Sequence, residues 1–515
     1  MKKLHYDVII AGGGSAGCAA ANVLCRAGLS VALLEAGPDY GAKAEGRWPE
    51  DLLDPRFDPD SHDWGYYAGR PEALSFLELR AKVIGGCSSH NDCAAIWGVP
   101  RDYDAWAEAG NPGWKYEDIF PLIQQVEGAA EDSVTPYRGT RGPLYTRRMP
   151  ENELSLYQRA FVEASLNEGF DRVEDMGGPE PGEGVASYHG NVKDSERWNA
   201  SFAFLDPIRE HTNLTIWDRT MVDRVVIEGT RAEALIVKAR GEDAELRADT
   251  ILLSAGSYGT PSILMRSGVG PESVLREVGI RESIAMEGVG RNLHDHPSFY
   301  IRYKPTDEGW ARVVKDLGEE SVYRGQVILR ARSPVCQEGL PFDLHMLPSQ
   351  VPRTLESRTL EGFICHMAPR SRGRTWIASR DPKAAPKIET NYLTDEGGRD
   401  TAALVYALRL FRRVTQAPPM SSLIEHELEP WAPLQSDEEI AAYLRESIGN
   451  YSHASGTCKM GPASDPGAVV DARGRVHGME NLYVADASII PVIPLANTNL
   501  TSMLIGMKVA SGMVG

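Results

Sequence analysis

No run of apolar residues in this 515-residue chain reaches the ~20 that a bilayer-spanning helix needs, so no membrane span is expected. Basic residues are in the minority, 54 Lys and Arg against 72 Asp and Glu, and the formal charge of -18 argues against a nucleic-acid partner. Cysteine is sparse and unpatterned. Cys18, Cys25, Cys87, Cys93, Cys336, Cys365 and Cys458 are odd in number and include no CxxC pair, which points away from a disulfide framework and from a zinc site; no metal is expected. Internal repeats and low-complexity tracts are also lacking. Met1-Lys2-Lys3 followed by Val8-Ile9-Ile10 superficially looks like a signal peptide, but Asp7 interrupts it and glycines follow at once, so a buried strand and a cytoplasmic location are expected. What remains, 42% hydrophobic and 24% charged, is the composition of a folded globular enzyme, long enough for two domains.

The chain opens with a strand-loop-helix-strand unit. Residues 6–11 read as a buried strand, 15–27 as an Ala-rich helix and 29–35 as a second strand. Between them Gly12-Gly13-Gly14-Ser15-Ala16-Gly17 fits GxGxxG, whose glycines allow a tight turn, close approach to a pyrophosphate and close packing of helix on strand. Glu35 ends the second strand, where a carboxylate can accept hydrogen bonds from a ribose diol. The unit predicts dinucleotide binding and leaves FAD and NAD both open. Residues 38–69, rich in Pro, Asp and aromatics, suit a long loop near a site. Strands near 214–216, 224–227, 234–237 and 250–253 read as a return to the nucleotide-binding sheet, and short alternating segments such as 298–303 and 342–347 as a separate antiparallel sheet on the substrate side. Residues 400–416 and 437–447 read as helices.

Four further stretches, AKVIGGCSSHN (81–91), GSYGTPSILMRSGVG (256–270), GVGRNLHDHP (288–297) and SHASGTCKMG (452–461), the last followed by VADASIIP and NTNLTSMLIG, resemble the glucose-methanol-choline family of FAD-dependent oxidoreductases, and within it the choline oxidase-like members. The resemblance implies an α/β fold in which a Rossmann-like FAD-binding domain (1–155, 205–295 and 450–515) is interleaved with a substrate-binding domain (156–204 and 296–449) built on an antiparallel sheet with helices. It implies that the cofactor is FAD, held by Gly12, Gly14, Ser15, Gly17 and Glu35, by Gly85, Gly86, Ser89, His90 and Asn91, by Val222, and by Asp486, Ala487 and Asn497. Covalently flavinylated relatives carry a His before the Asn of the first signature, and the string here is Gly-Gly-Cys-Ser-Ser-His-Asn, so a covalent bond from His90 to the flavin is expected.

Alcohol oxidation requires a group that takes or holds the hydroxyl proton while a hydride leaves carbon for flavin N5. By resemblance that group is His453, titrating near neutrality, with Asn497 as its amide partner and Asn499 as the nearby alternative. The resemblance thus implies oxidation of a primary alcohol to the aldehyde with O2 as acceptor and hydrogen peroxide as product. A dye- or quinone-linked dehydrogenase, or a hydroxynitrile-lyase type of reaction, uses the same motifs and stays open. Choline oxidase carries an acid after its Asp-His-Pro string. Here Ser298 follows Asp295-His296-Pro297, so an uncharged alcohol rather than choline is expected. Trp97, Ser298, His345 and Met346 are candidate pocket residues, and Asp92 is a departure with no assigned role. The expected assembly is a monomer or homodimer.

Overall fold

A computed structural model describes residues 5–56, 59, 61–69, 75–179, 182–317, 326–349 and 356–514. Val8, Ile9, Ile10 and Ala11 are all buried, the near-continuous apolar run of a strand covered on both faces. Their strand, His5–Ala11, pairs in parallel with Val31–Leu34 on one side and with Glu242–Leu253 on the other. Leu214–Trp217 extends the parallel set beyond Val31–Leu34, and Leu482–Val484 lies beside the last residues of Glu242–Leu253. The earlier part of Glu242–Leu253 carries an antiparallel meander of Arg231–Ala239 and Thr220–Glu228, completing seven strands.

The helix between the first two strands is Ser15–Arg26. Gly28, at φ +89°, closes it, with the Gly28 N–H donating to Cys25 O and the Leu29 N–H to Leu24 O. That cap consumes residues 27–30, and the next strand starts at Val31, later than the sequence pattern suggests. The C-terminal helix Thr498–Val514 packs along Ser15–Arg26. A Cβ on Gly506 would stand 2.2 Å from Ala16 O, so a glycine is required for this backbone approach.

The second sheet is antiparallel, in the order Ile424–Glu427, Pro297–Pro305, Leu360–His366, Leu344–Ser349, Val327–Ala331, Gly184–Ser187. Gly449–Asn450 pairs beside the start of Pro297–Pro305. One face packs on the helices Leu156–Asn167 and Arg399–Gln416, where Phe161 and Phe411 lie 5.5 Å apart. A Cβ on Gly362 would come within 2.2 Å of the Phe411 ring, so the glycine makes room for the aromatic. The other face meets Ala94, Ile96, Leu495 and Ala496 from the nucleotide-binding side. The helix Asp437–Ser447 begins with a reciprocal cap, Ser436 Oγ accepting from the Glu439 N–H and Glu439 Oε2 from the Ser436 N–H.

Ala200 and Phe202 to Phe204 pack in the nucleotide-side core, although they fall in the stretch 156–204 expected on the substrate side. The reason is a π-helical turn, Ser201–Leu205, under the first helix, where Asn22 Nδ2 donates to Phe204 O at 2.6 Å. The expected loop at 38–69 contains short elements, including the strand Tyr66–Gly69 paired with Ser75–Glu78; its residues 57, 58 and 60 lie outside the described residues. Among the described residues no helix is long and apolar enough to cross a membrane.

Candidate active site

Two glycine clusters are laced together at the heart of the molecule. The Gly85 N–H donates to Gly13 O at 2.7 Å, and a Cβ on Gly86, at φ +55°, would sit 2.6 Å from the Gly14 Cα. Gly17 serves packing, since its Cβ would lie 2.0 Å from Gly12 O. Beside these clusters lies a cavity of about 530 Å³. Its wall includes the first turns of three helices, Ser15–Arg26, Gly256–Arg266 and Thr498–Val514. None has an acid in its own first turn; Asp486 already meets the Gly256 end, and the positive ends at Ser15 and Thr498 remain open to an anion.

Glu35 also lines the cavity. Its Oε2 accepts from the Gly13 N–H at 3.1 Å and its Oε1 from the Gly37 N–H at 2.8 Å, while burial pushes its carboxyl up to about 7. Asp486 is fixed by the Gly256 N–H, the Thr260 hydroxyl and the Ser488 N–H. His90 is buried, its Nε2 has no hydrogen-bond partner among the described residues, and burial, followed by the Arg197 charge, lowers it to about 4. Asn497 Oδ1 and Asn499 Nδ2 are likewise buried without partners. The helix ends, the acid and these orphaned polar atoms fit FAD: helix ends for a pyrophosphate, Glu35 for a ribose, His90 and the amides for the flavin. Met221 and Val222 contribute apolar wall.

His453 lies in the same wall, and its hydrogen bonds fix where its proton sits. His296 Nε2 is 3.1 Å from Pro494 O, which can only accept, so this nitrogen carries the hydrogen. In neutral His296, Nδ1 is then an acceptor. It lies 2.9 Å from His453 Nδ1, which must be the donor. His453 Nε2 is left with a lone pair, facing Asn497 Nδ2 at 3.2 Å. Burial, then Arg80 and His345, lower His453 to about 3, so the expected near-neutral titration is not found and the ring is neutral across the physiological range. Asp295 clips the pair together: its Oδ1 accepts the backbone N–H of His296 at 2.7 Å and that of His453 at 2.8 Å.

Of the residues expected at the site, Gly12, Gly14, Ser15, Glu35, Gly86, His90, Asn91, Val222, His453, Asp486, Ala487 and Asn497 line one cavity. Gly85 and Ser89 stand behind it, Ser89 Oγ donating to Ile84 O at 2.9 Å. The four expected pocket residues lie elsewhere. Trp97 is in the core with Nε1 donating to Glu127 Oε2, Ser298 Oγ donates to Asn450 O at 2.6 Å, Met346 belongs to the core under the sheet, and His345 is buried against Phe342. Leu344–Ser349 and Leu360–His366 are buried on both faces, so alternation along these two strands does not separate pocket from core. Tyr300, Phe363 and Tyr451 supply the aromatic wall instead, with centroids 4.5 Å apart for Tyr300 and Phe363 and 5.0 Å for Phe363 and Tyr451. Tyr451 packs 4.2 Å from the His453 ring, and its position two residues before that histidine is the sequence signal that could have found it. Arg80 and Asp92 line the same cavity.

Residues 6–298 match the N-terminal and residues 369–506 the C-terminal domain of GMC oxidoreductases. Oxygen-dependent choline dehydrogenase of Brucella anthropi is 33% identical, over 99% of this chain and 96% of that one. The enzyme of the same name from Photobacterium profundum is 31% identical over 99% and 93%. Pyridoxine 4-oxidase from Mesorbium loti superposes with a TM-score of 0.87 at 28% identity, covering 98% of each chain. Formate oxidase from Aspergillus oryzae gives 0.87 at 22%, a likeness of fold. With both family domains, full-length relatives and the cofactor cradle in place, the chain belongs to the GMC oxidoreductases, FAD-dependent enzymes acting on CH–OH groups.

Proposed function

We propose that this chain oxidises a primary alcohol to its aldehyde with O2 as final acceptor, releasing hydrogen peroxide, and that His90 Nε2 carries the FAD covalently. When bound, FAD supplies the hydride acceptor. The observation that carries the reading is the unprotonated His453 Nε2 in the cavity wall, its lone pair turned to the Asn497 amide. That nitrogen accepts the hydroxyl proton, and the Asn497 amide holds the substrate oxygen. Tyr300, Phe363 and Tyr451 exclude water from one side of the reacting group. The O2-linked name of the choline dehydrogenases and the oxidase among the structural relatives support the choice of acceptor.

The expectation of an uncharged substrate rested on Ser298, which does not line the cavity, whereas the Asp92 carboxylate does. Choline and other amino alcohols therefore stand beside neutral alcohols as candidates. The test is anaerobic mixing of the holoenzyme with a panel of primary alcohols, choline and pyridine methanols included, followed by admission of air. Loss of the visible flavin band and one peroxide per reoxidation are expected. Bleaching without peroxide would favour a dye- or quinone-linked dehydrogenase, and no bleaching with any alcohol would end the oxidation reading.

A further inference from the structure

Arg330 and His345 stand opposite each other on the paired strands Val327–Ala331 and Leu344–Ser349. Both side chains are 0% exposed, and neither lines the cavity that holds His453. Arg330 Nε, Nη1 and Nη2 and His345 Nδ1 and Nε2 have no hydrogen-bond partner among the described residues. What each ring or guanidinium does touch is Phe342: the Arg330 Cζ lies 4.5 Å from the Phe342 centroid, and the His345 ring stacks on Phe342 at 5.4 Å and 25°. Contacts of that kind use the flat faces and leave the N–H edges for something else.

The acids in reach are already engaged. Asp175 is held by Arg138 through contacts of 2.8 and 3.1 Å, and Asp102 Oδ2 accepts the backbone N–H groups of Val99 and Leu495. Burial, the largest influence, lowers Arg330 only to about 9, so the guanidinium keeps its charge at neutral pH. A buried cation whose donors all lack acceptors is a large penalty for a fold to carry. Water alone would accept hydrogen bonds without neutralising the charge, and the surroundings, Ile328, Phe342 and Cys365, are apolar.

We propose that Arg330 and His345 form a second binding site, outside the reaction cavity, for a small monovalent anion of halide size. The guanidinium supplies charge and a fork of N–H donors, and neutral His345 supplies one more. Complete burial of both side chains excludes an organic ligand, which would have to thread between packed layers. The site neighbours the catalytic pair: Arg330 is among the influences that lower His345, and His345 is among those that lower His453. An anion there offsets the positive charge that Arg330 turns toward the histidines. This assignment is independent of the proposed reaction and of its substrate.

The probe is bromide. Holoenzyme purified and crystallised with sodium bromide as the only halide is expected to show an anomalous difference peak within hydrogen-bond distance of the Arg330 guanidinium. Tm at equal ionic strength is expected to be higher in bromide than in gluconate by at least about 2 °C, and Arg330→Met is expected to abolish both effects. If Arg330→Met does not fold, the two wild-type measurements decide. A water network or a protein acceptor on Arg330 with no bromide peak, or equal stability of the wild type in the two salts, overturns the proposal.

Discussion

His296 and His453 hydrogen-bond through their Nδ1 atoms at 2.9 Å across 157 residues of sequence, and Pro494 O anchors the far side of His296. The donors run one way, from His453 through His296 to Pro494 O, and this leaves the lone pair of His453 on Nε2, facing Asn497 Nδ2. His296→Phe removes the acceptor for the His453 Nδ1 hydrogen and frees the ring to take the other tautomer. Flavin reduction is expected to slow by about 100-fold or more, with FAD content unchanged. In His296→Gln the side-chain carbonyl can accept the same hydrogen, and part of the rate should return. A His296→Phe enzyme that reduces its flavin at the wild-type rate would remove the tautomer argument.

The same burial that positions His453 sets its pH response. With the ring lowered to about 3, Nε2 is free to accept a proton at any pH above roughly 4, one unit clear of that value. For a substrate with no titrating group, kcat/KM is therefore expected to stay level from pH 8 down to pH 5 as far as His453 is concerned. His453→Ala should lower turnover by about 100- to 10,000-fold over that whole range, without a change in profile shape. A wild-type profile that falls below pH 7 and is flattened in the His453→Ala enzyme would return this histidine to near-neutral titration.

The opening unit was legible because everything that makes it is local. A buried run of four apolar residues, glycines at fixed offsets and an acid after the second strand all fall within residues 5–35. The motif histidine and asparagine, His453 and Asn497, were legible from their strings. His296 was not, although it stands in the quoted string GVGRNLHDHP, because its role exists only through a partner 157 residues away. His345 and Met346 were misplaced for another reason. Leu344–Ser349 and Leu360–His366 are buried on both sides, so no polar-apolar alternation marks the cavity face. Tyr300, Phe363 and Tyr451 come from three separated segments and meet only in the folded chain.

His90 offers a test on the cofactor that does not depend on turnover. Its Nε2 is buried, without a partner among the described residues and neutral at physiological pH, the state in which an imidazole nitrogen is nucleophilic. After acid precipitation the wild-type pellet is expected to stay yellow, whereas His90→Ala should release its FAD to the supernatant. The variant should still fold and hold FAD before denaturation, since the helix ends at Ser15 and Thr498 and Glu35 are untouched. A colourless wild-type pellet would rule the bond out.

Asp295 joins the two histidines through the backbone: one oxygen, Oδ1, accepts both the His296 and the His453 N–H. Asp295→Ala leaves two buried donors without acceptors, at about 1–3 kcal/mol each, and should lower both Tm and turnover. Asp295→Asn keeps Oδ1 in place. Burial, with Glu78 next, raises the Asp295 carboxyl well above the usual range, so at neutral pH it is protonated and the amide imitates it closely. Its folded pKa lies above its unfolded value, so the stability it contributes is full only below the unfolded carboxylate range, about 4, and is lost as pH rises from there to the raised value. The amide does not titrate. Asp295→Asn is therefore expected to gain on the wild type in Tm already from about pH 4 upward, through neutrality, and to hold a constant advantage once pH passes the raised value. Thermal unfolding of both proteins from pH 5 to 9 reads this directly, and parallel Tm curves would show that Asp295 is ionised in the folded protein throughout.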